Sequence, residues 1–150
     1  MHEPPADRPE TDLEGRLAVE IEVPRFSFIK RNAQGRGQLI SPLPCPFNYG
    51  SVLGTRGDDG DAMDVVVLGD RRPRGARLRV PVRAVVRFVD AGVADPKWIC
   101  AEAPLTQADV AQISAFFTLY AAVKRALSAV RAPITSERRS TRYDGFSRFG

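Results

Sequence analysis

The order of hydrophobic patterns constrains the fold most, because short strand-like segments come first and one helical pattern follows. Residues 17–23 (LAVEIEV) alternate apolar and acidic side chains, which is the period of a half-buried strand. Residues 63–68 and 98–101 are apolar segments typical of buried strands, with Trp98 in the core. Residues 76–89 predict one or two bent strands, broken near Pro81. Such short strands ought to close into a barrel.

One amphipathic helix is predicted after the strands. Thr106 stands at its N-cap, and Asp109 follows three residues later, close to a capping box. The helix should run for about 25 residues and lie against the barrel with one apolar face. That face consists of Val110, Ile113, Phe116, Phe117, Tyr120, Val123, Leu127 and Val130.

Three segments before the acidic residues are less regular. Residues 26–30 predict a second strand. Residues 34–37 (QGRG) predict a hairpin turn, and residues 38–40 a short returning strand. Residues 41–49 contain three prolines, too many for a helix or a central strand.

Length and composition indicate one globular domain with two irregular ends. The chain has 150 residues, with 22 Lys+Arg against 18 Asp+Glu and a net charge of +4. We expect a flexible, acidic and proline-rich lead-in over residues 1–16, the folded domain over residues 17–134 and a basic tail over residues 135–150. No apolar run approaches the length of about 18 residues that a membrane span needs.

The cysteines and the net charge bear on the location of the protein and on the kind of partner it binds. The first residues have neither the basic start nor the apolar stretch of a signal peptide, so Cys45 and Cys100 are expected to be reduced thiols in the cytoplasm. Neither cysteine belongs to a CxxC pair, which argues against a zinc site. The basic balance fits a nucleic acid or a small anionic substrate, although a solvated surface explains most arginines.

Acidic residues form the most informative cluster. Residues 58–64 (DDGDAMD) place carboxylates close together before an apolar strand, where they repel one another. A hard divalent cation such as Mg²⁺ removes that conflict. If the loops lie at one end of the barrel, the converging carboxylates are Asp59, Asp61, Asp64, Asp90 and Asp95, with Glu22 as a sixth.

Ordinary turns compete with this interpretation. Asp-Gly is a routine hairpin turn, so spacing alone favours a metal site only slightly. An EF-hand is excluded, because Met63 and Asp64 stand where that loop needs a ligand and a glycine. The sequence also lacks the P-loop pattern.

Taken together, these residues resemble the soluble family I inorganic pyrophosphatases. Tyr49-Gly50 followed by DGDAMDV at residues 59–65 is similar to the family's signature. Ile29-Lys30 and the spacing of Asp90, Asp95 and Lys97 agree with it, as do residues 113–120 (ISAFFTLY). The likeness runs from about residue 17 to residue 130.

The resemblance implies a mainly β fold with α, a closed five-stranded OB-type β-barrel with one long C-terminal helix packed on it. It implies a hydrolase that converts inorganic diphosphate to two orthophosphates with a metal-activated water. The cofactor would be Mg²⁺, two or more ions per site, with Mn²⁺ as an alternative. The protein would be a homo-oligomer, acting on a small-molecule substrate without a membrane.

Residue roles follow from the same resemblance. The implied metal ligands are Asp59, Asp64, Asp90, Asp95 and Glu22, with Asp61 orienting or deprotonating the water. The implied phosphate-holding residues are Lys30, Tyr49, Lys97, Tyr120 and Arg36. Such a set suits the reaction, because metals neutralise the polyanion and cationic or phenolic donors stabilise the departing phosphate.

Several polar residues usual in the family, two phosphate donors and one carboxylate, are replaced. Asn32 occupies a position where the family usually has Glu, Cys45 one where it often has Tyr, and Ala121 one where it has Lys. Lys124 lies one helical turn beyond Tyr120. Three outcomes stay open: a slower pyrophosphatase, an enzyme for another phosphoanhydride, and a metal-binding protein without turnover. An OB-type nucleic-acid-binding protein is less favoured, because such a barrel would carry its aromatic residues on the strands.

Overall fold

Five strands of this protein form a closed ring. The structure is a computed structural model and describes residues 8–27, 45–55, 62–131 and 141–149. In chain order the elements are β1 (Arg16–Val23), β2 (Asn48–Val52), β3 (Asp64–Val67), β4 (Arg77–Asp90), β5 (Val93–Ala94), β6 (Lys97–Cys100), α1 (Gln107–Arg131) and β7 (Arg142–Arg148). The strand order is β1-β2-β3-β6-β4, and β4 also pairs with β1. The predicted closed five-stranded barrel with one long helix is confirmed.

Strand β4 closes the ring because it is 14 residues long and reaches several neighbours. Its first part pairs with β1, its middle with β6 and its second half with β7. The predicted break near Pro81 does not occur. Pro81 lies at the end of the β1 pairing, opposite Arg16, and its carbonyl accepts the Ala101 N–H at 3.1 Å. A proline is tolerated there because no ladder hydrogen bond needs its missing N–H.

Two hydrophobic cores lie on the two sides of the sheet. Leu17, Val19 and Ile21 alternate along β1 and are fully buried in the barrel interior, which confirms the predicted period of two. Trp98 lies in the same core, as expected. The second core fills the space between the outside of the barrel and α1. Strands β2 and β6 are buried along their whole length.

Helix α1 begins with the predicted capping box. Asp109 N donates to Thr106 Oγ1 at 3.0 Å, and Thr106 N donates to Asp109 Oδ2 at 2.9 Å. The helix is 25 residues long. Ile113 and Phe117 are buried on the barrel side, where the Phe117 ring packs 6.1 Å from that of Phe88. Each such side chain stabilises the docked helix by roughly 1.5–3 kcal/mol.

Three strands lie where none was predicted: the two-residue β5, and the longer β7 and β2. Strand β7 belongs to the basic tail, and it pairs with β4 between Ala84 and Val89. Strand β2 starts at Asn48, within the proline-rich segment from which a central strand was excluded. The three prolines all precede Asn48, so every residue of β2 keeps its N–H for the ladder.

Some sequence predictions are left untested. The turn at residues 34–37, the strand at residues 38–40 and residues 28–30 lie outside the described residues. Residues 26 and 27 belong to no strand. The boundaries of lead-in, domain and tail stay predictions, although β1 begins one residue earlier than expected, at Arg16. Among the described residues, no helix has the length and apolar character needed to cross a membrane.

Candidate active site

Two strand ends meet at the candidate active site. Strands β3 and β6 run parallel, and Asp64 pairs with Lys97 at the first position of each strand. Asp95 lies two residues before β6 starts. Tyr49 enters from β2, which pairs antiparallel with β3. The topology therefore brings side chains from separate parts of the sequence to one end of the barrel.

Lys97 lies between two carboxylates. Its Nζ is 2.5 Å from Oδ2 of Asp64 and 2.6 Å from Oδ2 of Asp95, and the residue is 2% exposed. Burial opposes the charge of Lys97, but the attraction of Asp64 and the other acidic groups outweighs it and holds the pKa of Lys97 well above its usual value. Burial raises the pKa of Asp95, and Lys97 opposes this rise. The ammonium group therefore stays charged at neutral pH.

Tyr49 binds the same carboxylate. Its hydroxyl donates to Oδ2 of Asp64 at 2.7 Å. Burial raises the pKa of Tyr49 well above its usual value, and the charge of Asp64 adds to this effect. Tyr49 therefore stays a protonated donor. Tyr49 and Lys97 both bind Oδ2 of Asp64. The other carboxylate oxygen, Oδ1, accepts no hydrogen bond from the described part of the chain.

A second ion pair lies at the end of β4. Lys124 on α1 donates from Nζ to Oδ2 of Asp90. Tyr120, one helical turn earlier, has its pKa raised by burial, and the charges of Lys124, Lys97, Asp64 and Asp90 all act on it. Because one phenol lies within reach of both ion pairs, they form a single electrostatic cluster.

Glu22 borders this cluster from β1. Its Oε1 accepts a hydrogen bond from Ser51 Oγ at 3.0 Å. Burial raises the pKa of Glu22; the Ser51 hydrogen bond opposes the rise, and the negative charge of Asp64 adds to it. Glu22 is therefore close enough to Asp64 for the two charges to interact.

Seven of the eleven predicted site residues lie in the described part of the chain, around two neighbouring ion-pair groups and not in one carboxylate cluster. The described ones are Glu22, Tyr49, Asp64, Asp90, Asp95, Lys97 and Tyr120. The other four, Lys30, Arg36, Asp59 and Asp61, lie outside the described residues, so their places stay predictions.

Asn48 contributes to the site in a way that sequence reasoning missed. Its Oδ1 accepts backbone N–H groups of Arg25 at 3.0 Å and Arg72 at 2.8 Å, and its Nδ2 donates to two backbone carbonyls. The residue is fully buried. A single amide thus fixes the start of β2 beside Tyr49. Its only sequence signal was its place directly before the Tyr49-Gly50 pair that carries the family resemblance.

Thr141 and Ser51 were also missed. Thr141 Oγ1 lies 3.5 Å from Oδ1 of Asp90 and accepts the Ala91 N–H at 3.0 Å. Ser51 orients Glu22. No local pattern marks either hydroxyl, because both reach the site through pairings between distant segments.

The carboxylate oxygens of this site are suitable ligands for a hard divalent cation. Carboxylate oxygens are the ligands that Mg²⁺ prefers. The Oδ1 atoms of Asp64 and Asp95 accept no hydrogen bond within the described ranges. In those ranges, no three His, Cys, Asp or Glu side chains form a group able to hold a metal ion. Asp59 and Asp61, the other predicted carboxylates, lie outside the described residues.

Two residues at donor positions of the resembled family lie in the core instead. Cys45 and Ala121 belong to the hydrophobic cluster between barrel and helix. Burial raises the pKa of the Cys45 thiol to about 12. Neither side chain supplies the donor that its position would carry in the family.

A family model and a known relative both match parts of this chain. The family model described as inorganic pyrophosphatase matches residues 19–138. The inorganic pyrophosphatase of Haemophilus influenzae is 40% identical over 60 residues, which make up 39% of this chain and 34% of that protein. The aligned stretch thus spans about a third of that relative's length.

Solved structures show the same fold. An inorganic pyrophosphatase from Neisseria gonorrhoeae superposes with a TM-score of 0.63 at 22% identity, over 89% of this chain and 83% of that one. The Thermus thermophilus inorganic pyrophosphatase gives a TM-score of 0.64 at 21% identity, over 95% of this chain and 88% of that one. These likenesses fit the predicted OB-type barrel. Since the family model spans most of its length, this chain belongs to the inorganic pyrophosphatase family.

Proposed function

We propose that this protein catalyses the Mg²⁺-dependent hydrolysis of inorganic diphosphate to two orthophosphates. The observation that carries the proposal is the buried Lys97 ammonium between Asp64 and Asp95, with phenol groups beside it. Membership of the family supports the same conclusion. Carboxylates able to hold cations and donors able to hold phosphates meet at one end of the barrel.

The carboxylates are proposed to hold the cofactor. Two or more Mg²⁺ ions would be bound by Asp59, Asp64, Asp90, Asp95 and Glu22, with Mn²⁺ as an alternative. When bound, such ions neutralise the charge of diphosphate and make water more acidic. The unengaged Oδ1 atoms of Asp64 and Asp95 support this assignment.

The protein's own donors would hold the phosphates. Lys97 has three N–H donors and gives two to Asp64 and Asp95, so a third is left for a phosphate oxygen. Within the described residues the Tyr120 hydroxyl makes no hydrogen bond, and its raised pKa keeps its proton in place. Lys30, Tyr49 and Arg36 are proposed as further phosphate contacts; Tyr49 would have to turn its single hydroxyl proton from Asp64 to the phosphate.

The proposed reaction is an in-line displacement by water. The water oxygen forms a bond to one phosphorus while the bond from that phosphorus to the bridging oxygen breaks. The bridging oxygen leaves with the second phosphate. Asp61 is proposed to orient the water and to accept its proton. Lys97 and Tyr120 would stabilise the negative charge that develops on the departing group.

Another phosphoanhydride is the second candidate substrate. Cys45 and Ala121 replace usual phosphate donors, and the structure buries both in the core; Asn32 replaces a usual carboxylate. Each charge-assisted hydrogen bond that is missing weakens phosphate binding by roughly 1.5–3 kcal/mol. A substrate with further binding groups would make up for that loss.

The test is phosphate release from diphosphate with Mg²⁺. We expect turnover by the wild type and a decrease of roughly a hundredfold or more in Asp64→Asn, because both Lys97 and the cation lose a charged partner. Asp70→Asn is the matched control, because that carboxylate is on an exposed residue. Equal release by wild type and Asp64→Asn would reject the proposal.

A substrate screen separates the alternatives. Diphosphate is compared with nucleoside diphosphates and sugar nucleotides at the same Mg²⁺ concentration. Faster cleavage of one of these identifies another phosphoanhydride, and no cleavage of any identifies a protein without turnover. Salt-dependent oligonucleotide binding would instead indicate a nucleic-acid-binding protein. Homo-oligomeric assembly and a cytoplasmic location stay predictions.

A further inference from the structure

An arginine-lined cavity lies at the far end of β6 from the candidate active site. Its volume is about 440 Å³, and its lining includes Arg8, Arg83 and Arg148. Strand β6 starts at Lys97 in the acidic cluster and ends at Cys100, near this cavity. At about 3.3 Å per residue, the strand alone separates the two places by roughly 10 Å. The cavity, here called the arginine cavity, is therefore not part of the acidic cluster.

The three guanidinium groups have no carboxylate partner among the described residues. Arg83 donates to the carbonyl oxygens of Ala101 at 3.1 Å and Glu102 at 2.6 Å, and Arg148 donates to that of Leu105. Arg8 lies with its guanidinium carbon 4.3 Å from the Phe149 ring centre. These contacts fix the guanidinium groups without neutralising them. A guanidinium group has five N–H donors, so each keeps donors for a ligand.

Glu14 does not cancel this charge. It also lines the cavity, but its carboxylate lies 3.4 Å from the guanidinium of Arg16. The side chain of Glu14 is 78% exposed. The cavity therefore keeps an excess of positive charge.

The backbone places Arg83 by an irregular feature of β4. The register of β4 against β6 shifts between Val82 and Ala84, and Arg83 is the residue between them. A bulge redirects a side chain and is common beside functional sites. On the neighbouring strand Arg148 pairs with Ala84, and the Arg83 carbonyl accepts the Phe149 N–H at 2.8 Å. The fold thus sets two arginines side by side.

The rest of the wall is apolar. Pro81, Val82, Leu105 and Phe149 line the cavity together with Pro104. A volume of this size lies within the usual range of small-molecule sites, roughly 300–1,000 Å³. The cavity therefore offers one cationic region and one apolar region to the same ligand.

We propose that the arginine cavity binds a small organic phosphate of the nucleoside monophosphate class. Guanidinium groups bind phosphate oxygens through paired N–H donors, and three of them suit a group with a charge near −2. The prolines, the leucine and the phenylalanine contact the uncharged part of the ligand. This site is independent of the proposed hydrolysis of diphosphate.

The experiment measures binding of adenosine 5′-monophosphate to the full chain by calorimetry, in EDTA so that the acidic cluster holds no cation. We expect saturable binding, weaker with added salt, and tighter than that of inorganic phosphate or of adenosine alone. Absence of saturable binding at millimolar nucleotide overturns the proposal. Equally tight binding of adenosine or of phosphate overturns it too.

Substitutions then locate the ligand. Arg8→Gln and Arg148→Gln should each weaken binding roughly tenfold, the loss expected for one charge-assisted contact. Arg74→Gln, which removes an exposed positive charge outside the cavity, should leave binding unchanged. Arg83 is left intact because it also holds two backbone carbonyls.

Folding and assembly are measured on the same variants. Thermal unfolding identifies a variant that fails to fold. Arg8→Gln guards against this outcome, since among the residues that the structure describes its guanidinium contacts only the Phe149 ring. Binding that both folded variants retain overturns the proposal. A change of oligomeric state in the variants, with no loss of nucleotide binding, also overturns the proposal. The cavity would then be a contact between copies of this chain.

Discussion

At the scale of single residues, the buried ammonium of Lys97 organises the site. It contacts Asp64 and Asp95, and both of those side chains are mostly buried. Burying an ion pair costs desolvation energy, which the mutual attraction offsets only while both partners are present. The same arrangement holds the carboxylates near each other in a place where they would otherwise repel.

Replacing Lys97 should therefore be costly. Lys97→Met leaves two buried carboxylates without their cation, so we expect the free energy of unfolding to fall by about 3–5 kcal/mol in urea titrations with EDTA. Mg²⁺ should restore more stability to this variant than to the wild type, because it replaces the missing positive charge. Arg74→Met, at an exposed position, should change neither value. A loss under about 1 kcal/mol would contradict the role given to Lys97.

Gly50 lies close against the backbone of β1. A Cβ there would lie 1.9 Å from the carbonyl oxygen of Glu20 on β1. We expect Gly50→Ala to lower the free energy of unfolding by about 3 kcal/mol, because β1 and β2 must separate to admit the methyl group. Gly15→Ala has open space and should cost only the strain of a positive φ, about 1 kcal/mol. Equal urea midpoints for the two variants would refute the close approach.

At the scale of elements, local patterns predicted the parts of the fold that depend on near neighbours in sequence. The helix of Gln107–Arg131 follows from its apolar spacing and its capping residues. Strand β1 follows from its alternation. Strand β2 shows no alternation because both of its faces are buried. Strand β7 alternates over its first four residues only, and its register against β4 shifts within the strand. Those two strands are fixed by pairing with distant partners.

The carboxylates of the candidate site were predictable from the sequence pattern, whereas its phosphate-holding residues were predictable only through the family resemblance. Nothing local in the sequence shows that Asp64 pairs with Lys97, since this depends on the parallel register of β3 and β6. The pairing of Lys124 with Asp90 likewise requires the helix to dock with a particular face toward β4. Spacing identified the acidic residues, and tertiary structure determined their partners.

The capping box of α1 gives a prediction at this scale. Thr106→Ala removes the acceptor for the Asp109 N–H, so the free energy of unfolding should fall by about 1 kcal/mol in urea titrations. Phosphate release should stay unchanged, because the cap lies at the opposite end of the helix from Lys124. Gln107→Ala, on an exposed residue next to the cap, should have little effect. An equal loss in both variants would show that the cap does not matter.

At the scale of the whole molecule, two cores on either side of one sheet bury both thiols. Cys45 lies between barrel and helix, and Cys100 lies in the barrel interior. Burial raises the pKa of each thiol from 9.0 to about 12. In the unfolded chain both thiols ionise near pH 9, whereas the folded chain keeps them protonated. Stability therefore falls as the pH rises through this interval.

The alkaline loss of stability is measurable. Between pH 8 and pH 10 each thiol should lower the free energy of unfolding by about 1.4 kcal/mol, so the two together account for about 3 kcal/mol in urea titrations. The double variant Cys45→Ala with Cys100→Ala should start less stable and lose less over the same interval. The same pH dependence in the double variant would contradict the burial of the thiols.

The central claim, that carboxylates from separate strands form a divalent-cation centre beside Lys97, is tested most directly by diffraction. Crystals soaked in Mn²⁺ would be measured at the manganese absorption edge. The account predicts an anomalous peak within coordination distance of carboxylate oxygens of Asp64 and Asp95, and its loss from crystals of Asp64→Asn. A map with no peak at these carboxylates in the wild type would contradict it.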